Sequence, residues 1–166
     1  MSPTAATGLK VRIGDAMPSV GLRATDGYLL NLRSLVGKQP LIVVFFGGPT
    51  FKGAARERGD SMADALKDAS PRLENAGVAL IGVTTDNEVQ QKAYVEEMSL
   101  PYLLFSDERR IAVEALGIPT TSERGNVNAE PTAFAVGTEG SILVIVEQAS
   151  PKGLVARLLE AITPPG

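Results

Sequence analysis

The sequence predicts an α/β sandwich, a central mixed β-sheet with helices on both faces and a β-hairpin at its N-terminal end. Three observations carry this. Two continuous apolar runs, Leu41-Ile-Val-Val-Phe-Phe46 and Val78-Ala-Leu-Ile-Gly-Val83, lack the alternation of a half-solvated strand and read as strands covered on both faces. Segments of helical period alternate with them. The chain then closes on two strands around Thr138-Glu-Gly140 and a last helix.

The elements follow in order. Residues 1–12 read as a flexible terminus and 13–166 as one domain, a normal size for a single core. Residues 18–32 read as a hairpin, with Asp26-Gly27 supplying the positive-φ turn. Asn31 or Ser34 caps a short helical turn that ends near Gly37, and Pro40 leads into the strand 41–46. A helix is expected from about 54 to 75, with Met62, Leu66 and Leu73 on one face and Gly77 at its C-cap. After the strand 78–83, Asp86 is the expected N-cap of a helix over 87–98. A short strand covers 102–105, and Ser106-Asp107 caps a further helix ending near Gly117. The polar stretch 118–130, rich in Thr, Asn and Gly, reads as a loop. Strands at 133–136 and 141–146 precede a helix from about Pro151 to Ile162, with proline in its first turn.

Composition limits the chemistry. The chain has no Cys and no His, 16 Lys+Arg against 19 Asp+Glu, and 44% hydrophobic residues. Without histidine there is no Ser-His-Asp triad and no His-ligated metal. No loop has the dense Asp/Asn spacing of a carboxylate cation site, and no glycine fingerprint of a nucleotide loop appears. Neither cofactor nor metal is therefore expected. A net charge of -3 gives no nucleic-acid footprint, and no apolar run reaches the roughly 20 residues of a membrane span. The start lacks a charged-then-apolar leader, so a cytoplasmic protein is expected.

Several segments together carry a family resemblance. Ile13-Gly-Asp-Ala-Met-Pro18, the stretch from Thr25 to Lys38 with the strand after it, Leu80-Ile-Gly-Val-Thr-Thr-Asp86 and Leu100-Pro-Tyr-Leu-Leu-Phe-Ser-Asp107 occur in the order and spacing of one family. The chain resembles the peroxiredoxin-like (alkyl hydroperoxide reductase / thiol-specific antioxidant) branch of the thioredoxin fold over roughly residues 13 to 162. The resemblance implies a thioredoxin-like fold, a homodimer, and an active loop between the strand 41–46 and the next helix. The thiol chemistry that it also implies is denied by the residues. In the ungapped register the peroxidatic signature falls on Gly47, Phe51 and Ala54, where the family has Pro, Thr and Cys. In the thioredoxin register Thr50 and Gly53 take the two cysteine places. Glu130-Pro131-Thr132 resembles the cis-proline segment of thioredoxins.

The family places its active loop at a helix N-terminus, which offers unpaired N–H groups and a partial positive charge to anions and developing oxyanions. The candidate catalytic residues are Thr50 as hydrogen-bond donor, Lys52 as a cation for a carboxylate or enolate, and Glu57 as base. Gly48, Pro49, Phe51, Gly53, Ala54, Arg56, Arg124, Pro131 and Thr132 are the candidate ligand-binding residues, with Arg58, Gly59 and Glu130 beside them. The expected ligand is a small anionic or carbonyl-bearing molecule. Structural readings compete at each place. Thr50 can instead cap the helix, the charged run 52–58 can be a solvated face, Phe51 can be core, and Pro131 a structural cis-proline. At the level of function, a cofactor-independent small-molecule enzyme or binding protein stands against an interaction scaffold and an inactive antioxidant homologue.

Overall fold

The computed structural model describes residues 8–24, 29–32, 39–123 and 126–162. The Asp26-Gly27 turn, the short helix expected over 34–37, and Arg124 lie outside the described residues. In chain order the elements are β1 (Gly21–Ala24), β2 (Leu29–Asn31), β3 (Leu41–Phe45), α1 (Gly53–Asn75), β4 (Ala79–Thr84), α2 (Glu88–Met98), β5 (Leu103–Ser106), α3 (Ile111–Leu116), β6 (Thr120–Glu123), β7 (Asn126–Ala129), β8 (Thr132–Val136), β9 (Ile142–Glu147) and α4 (Leu154–Ile162).

Seven strands form one mixed sheet in the order β2-β1-β5-β4-β3-β8-β9. The β3–β4 and β4–β5 pairs are parallel, while β1–β2, β1–β5, β3–β8 and β8–β9 are antiparallel. The parallel pairs are joined through helices, as parallel neighbours require. Strand β3 sits inside the sheet and is buried along its whole length. Its alternate residues feed two cores. Leu41, Val43 and Phe45 join Phe105, Phe134 and the α3 residues Ala112, Val113 and Leu116 on one face. Ile42, Val44 and Phe46 join Met62 and Leu66 of α1, Tyr94 of α2 and Leu158 of α4 on the other. This is the thioredoxin-like sandwich with helices on both faces.

Four local expectations need correction. The stretch expected as a loop over 118–130 folds into the β6–β7 hairpin, a separate two-stranded sheet. Its ladder is local, so alternating Thr, Asn and small residues suffice without an apolar strand pattern. Asp86 does not cap α2. Asn87 does, with a reciprocal capping box in which Asn87 Oδ1 accepts the Gln90 N–H and Gln90 Oε1 accepts the Asn87 N–H. The helix after Ser106-Asp107 starts later, at Ile111, yet Asp107 still accepts the N–H groups of Ala112 and Val113 at 3.1 and 2.8 Å. Burial raises the Asp107 carboxyl pKa above its ordinary range, against these backbone bonds, which lower it. The last helix begins at Leu154, so Pro151 precedes it rather than opening its first turn.

Candidate functional site

The turn from β3 to α1 is packed from within by two glycines. A Cβ on Gly59 would lie 2.0 Å from the Gly47 carbonyl oxygen, so α1 crosses the end of β3 at backbone contact. A Cβ on Gly48 would lie 1.6 Å from Asp86 Oδ2. These glycines are required by internal packing. Asp86 is only 2% exposed, and its Oδ1 accepts the Thr50 N–H at 3.1 Å. Its Oδ2 has no hydrogen-bond partner among the described residues. Freed from capping α2, this carboxylate holds the 48–50 turn.

Helix α1 opens at Gly53, whose φ is +61°, with Lys52 at the N-cap and no side-chain cap bond. Thr50 therefore does not cap it, and no side chain occupies the first-turn N–H groups through a cap. From here the helix separates its residues by about 100° each, which puts positions 54 and 56 on opposite sides.

One side faces a cleft of about 730 Å³. Ala54, Arg58, Ser61 and Met62 form its helical wall, spaced as one stripe. Phe46 and Phe51 contribute apolar surface, and Glu57 stands beside the stripe. The opposite wall comes from Thr121 and Ala129 of the β6–β7 hairpin, from Glu130 and Pro131, and from the segment 148–151 after β9. Two backbone bonds tie the segments of this opposite wall to one another, Ala149 N–H to Pro131 O and Glu130 N–H to Pro119 O, at 2.9 and 2.8 Å.

The other side is occupied by its own network. Arg56 Nε donates to Asp60 Oδ1 at 3.0 Å, one terminal nitrogen reaches Glu97 at 3.3 Å and the other the Pro49 carbonyl at 3.4 Å. The guanidinium lies 5.2 Å from the centre of the Tyr94 ring. Tyr94 Oη donates to the same Asp60 oxygen at 2.6 Å. The Asp60 bond raises the Arg56 pKa. Burial, then the Asp60 bond, pushes the Tyr94 phenol well above its ordinary range. Pro49, Thr50 and Lys52 border a shallow groove on this side, with Gln90, Ala93 and Glu97.

The residues singled out in the sequence are thus divided. Phe51, Ala54, Glu57 and Pro131 come together at the cleft, with Arg58 and Glu130. Pro49, Thr50, Lys52 and Arg56 lie on the opposite side of α1. Phe51 is 5% exposed and is at once core and cleft wall. Thr132 is buried behind Glu130, whose carbonyl accepts its hydroxyl at 2.9 Å. The Glu130–Pro131 bond is trans, so the expected cis-proline is corrected. The resemblance of this segment to thioredoxins rests on the three residues Glu130-Pro131-Thr132, and these do not impose the isomer. Thr121, Gln148 and Ser150 were missed, because they lie on a hairpin read as loop and on a strand end remote in sequence. Met62 and Ser61 were within reach, because their spacing from Ala54 and Arg58 is helical.

A family model described as AhpC/TSA matches residues 13–145. The chain belongs to the AhpC/TSA family. It is 25% identical over 154 residues to the putative peroxiredoxin bcp of Coxiella burnetii, covering 91% of this chain and 98% of that one. It is 31% identical over 110 residues to the chloroplastic peroxiredoxin Q of Populus jackii, covering 66% of this chain. The chain spans about half the length, 49%, of that chloroplast relative. Among solved structures, peroxidoxin BcpB of Mycobacterium tuberculosis superposes with a TM-score of 0.77 at 18% identity, over 91% of this chain and 96% of that one. A cysteine-to-serine mutant of Xylella fastidiosa PrxQ superposes with a TM-score of 0.76 at 17% identity, over 92% and 96%. At these identities the structures establish the fold. This AhpC/TSA protein holds that fold with no cysteine anywhere in its 166 residues. No helix among the described residues is long and apolar enough to cross a membrane.

Proposed function

We propose that this AhpC/TSA protein runs no thiol peroxidase cycle and instead uses the cleft beside α1 to bind a small anionic or carbonyl-bearing molecule and move a proton on it. The observation that carries this reading is the cleft itself. Its volume of about 730 Å³ lies within the range of ligand sites, roughly 300–1,000 Å³. It opens at the turn where a thiol member of the family would work, and Thr50, Gly53 and Ala54 stand at the candidate thiol positions. A thiolate cycle needs sulfur as nucleophile. What remains suits other chemistry. Uncapped N–H groups at the start of α1 and the Arg58 guanidinium attract a negative oxygen. Glu57 and Glu130 bring carboxylates that can accept a proton. Phe46, Phe51 and Pro131 exclude water from one side of a bound molecule.

The test is a thermal-shift screen of small carboxylates and dicarbonyl compounds. A ligand at a hundred times its Kd stabilises the fold by about 2.7 kcal/mol. Ala54→Phe fills the cleft and removes the shift. A shift that survives Ala54→Phe but disappears in Lys52→Ala would move the site to the groove beside Thr50. A screen without hits would favour the scaffold reading. Peroxide consumption with thioredoxin or dithiothreitol stays at the buffer control, and turnover above it would overturn the absence of a thiol cycle.

A further inference from the structure

The charges that line the cleft do not match a plain anion. Arg58 is the one cation among the lining residues, and it stands against two carboxylates, Glu57 beside it on α1 and Glu130 on the opposite wall. None of the three enters an ion pair among the described residues. Arg58 and Glu57 are helix neighbours about 100° apart, so they do not face each other. Arg58 and Glu130 stand on opposite walls and leave the space between them unbridged. A carboxylate seated on Arg58 alone meets two like charges, which count against it. An ammonium on the same molecule turns both into partners. The backbone adds a second observation. Gln148, on the opposite wall and exposed, has a φ of +49°. That left-handed region favours glycine, which takes it at Gly77, Gly117, Gly140 and Gly153. Ser99 and Arg110 share it as caps of α2 and α3. Gln148 stands at the end of β9 and caps no helix. Strain of this kind clusters where a side chain serves a site.

We infer that the cleft takes a zwitterion, a small aliphatic amino acid whose carboxylate is held by Arg58 and whose ammonium is held by Glu130 and Glu57, with Gln148 bonded to it from the far wall. The inference rests on the reading that this cleft binds a small molecule, and it adds the cationic group that a plain anion lacks. The guanidinium fork matches a carboxylate with two parallel bonds. An ammonium has three donors and no acceptor, and two carboxylates with an amide oxygen satisfy it. The Gln148 amide donates as well as accepts, so it serves either end of the ligand. Ala54, Ala55 and Pro131 supply apolar surface beside the charges for a short aliphatic side chain.

The experiment is calorimetric titration of the intact chain with three probes of one shape. Leucine carries both charges, isocaproate only the carboxylate, and isoamylamine only the ammonium. Leucine is expected to bind roughly tenfold or more tighter than either half, the scale of one hydrogen bond to a charged group. Arg58→Gln weakens leucine and isocaproate by that factor and leaves isoamylamine unchanged. Glu130→Gln weakens leucine and isoamylamine and does not weaken isocaproate. Gln148→Gly relieves the positive φ, so the denaturation midpoint rises while leucine binding weakens, a pairing that a purely structural residue would not give. Leucine binding that survives all three substitutions overturns the inference. Isocaproate binding as tightly as leucine also overturns it, and leaves the reading of an anionic ligand standing. Failure of all three probes overturns it too, and the screen of carboxylates and dicarbonyl compounds then decides that reading by itself.

Discussion

The two sides of the first turns of α1 differ in what they leave unpaired. On the α2 side Arg56, Asp60, Tyr94 and Glu97 consume one another's charges and donors, and Arg56 also holds the Pro49 carbonyl. On the cleft side Ala54, Glu57 and Arg58 are exposed and open onto a cavity. One side is closed by its own pairing and the other is open. A charged run in the sequence can therefore divide between a paired and an unpaired face within a single turn, because 100° per residue sends residues two apart to opposite sides.

The largest expected effect breaks both sides together. Gly59→Ala drives a methyl into the Gly47 carbonyl, a backbone atom that cannot swing away. We expect a loss on the order of 3 kcal/mol, at the upper end of overpacking costs, despite the roughly 1 kcal/mol that alanine gains over glycine in a helix. Urea denaturation measures it, and an unchanged midpoint would show that α1 can move off β3.

Breaking the shut side alone comes next. Tyr94→Phe removes the phenol donor from Asp60 and is expected to cost about 1–2 kcal/mol. Ligand shifts at the cleft should remain as in the parent protein. The same phenol gives an alkaline signature. Its folded pKa is raised above the ordinary 10.0 by burial and by the Asp60 bond. The stabilisation is therefore complete below pH 10 and is lost as pH rises towards the folded value. Tyr102, buried and donating to the Ala63 carbonyl at 2.9 Å, is raised in the same sense. Between pH 10 and 11 each tyrosine should remove up to about 1.4 kcal/mol. Tyr94→Phe should shrink that loss by about half.

On the open side stability should barely respond. Ala54→Cys is expected to change it by less than about 0.5 kcal/mol. The new thiol, in the first turn of α1, should titrate below the ~8.5 of a free cysteine. Absorbance of the thiolate against pH reads this out, and an ordinary value would mean that the helix end does not polarise the cleft. The smallest effect is Lys52→Ala, where the exposed side chain should alter the denaturation midpoint within the same ~0.5 kcal/mol.

The same comparison explains what the sequence showed. The long apolar runs at 41–46 and 78–83 announced themselves because a strand buried on both faces has no choice of residue type. The glycines after Phe46 and in α1 stood out in the sequence, but not their reason, which is Asp86 against Gly48 and the Gly47 carbonyl against Gly59. The cleft was half legible. Ala54, Glu57, Phe51 and Pro131 were found, but they were grouped with Thr50, Lys52 and Arg56 by nearness in sequence. Helical spacing from Ala54 through Arg58 to Met62 would have separated them. The far wall was hidden, because β6 and β7 pair only with each other and need no apolar pattern. Asp86 and Asn87 both suit an N-cap, and only the packing of Asp86 against Gly48 decides between them.

The placement of β3 also fixes a schedule for synthesis. One edge of this strand pairs with β4, made soon afterwards, while the other pairs with β8, so that Leu41 meets Val136 and Phe45 meets Thr132. At ~5–20 residues per second a ribosome needs on the order of 5–20 s to cover that interval. Throughout it the nascent chain presents Leu-Ile-Val-Val-Phe with a bare hydrogen-bonding edge, the kind of segment that aggregates or recruits a chaperone. The strand that carries the cleft-forming turn is thus half-finished until β8 has left the exit tunnel.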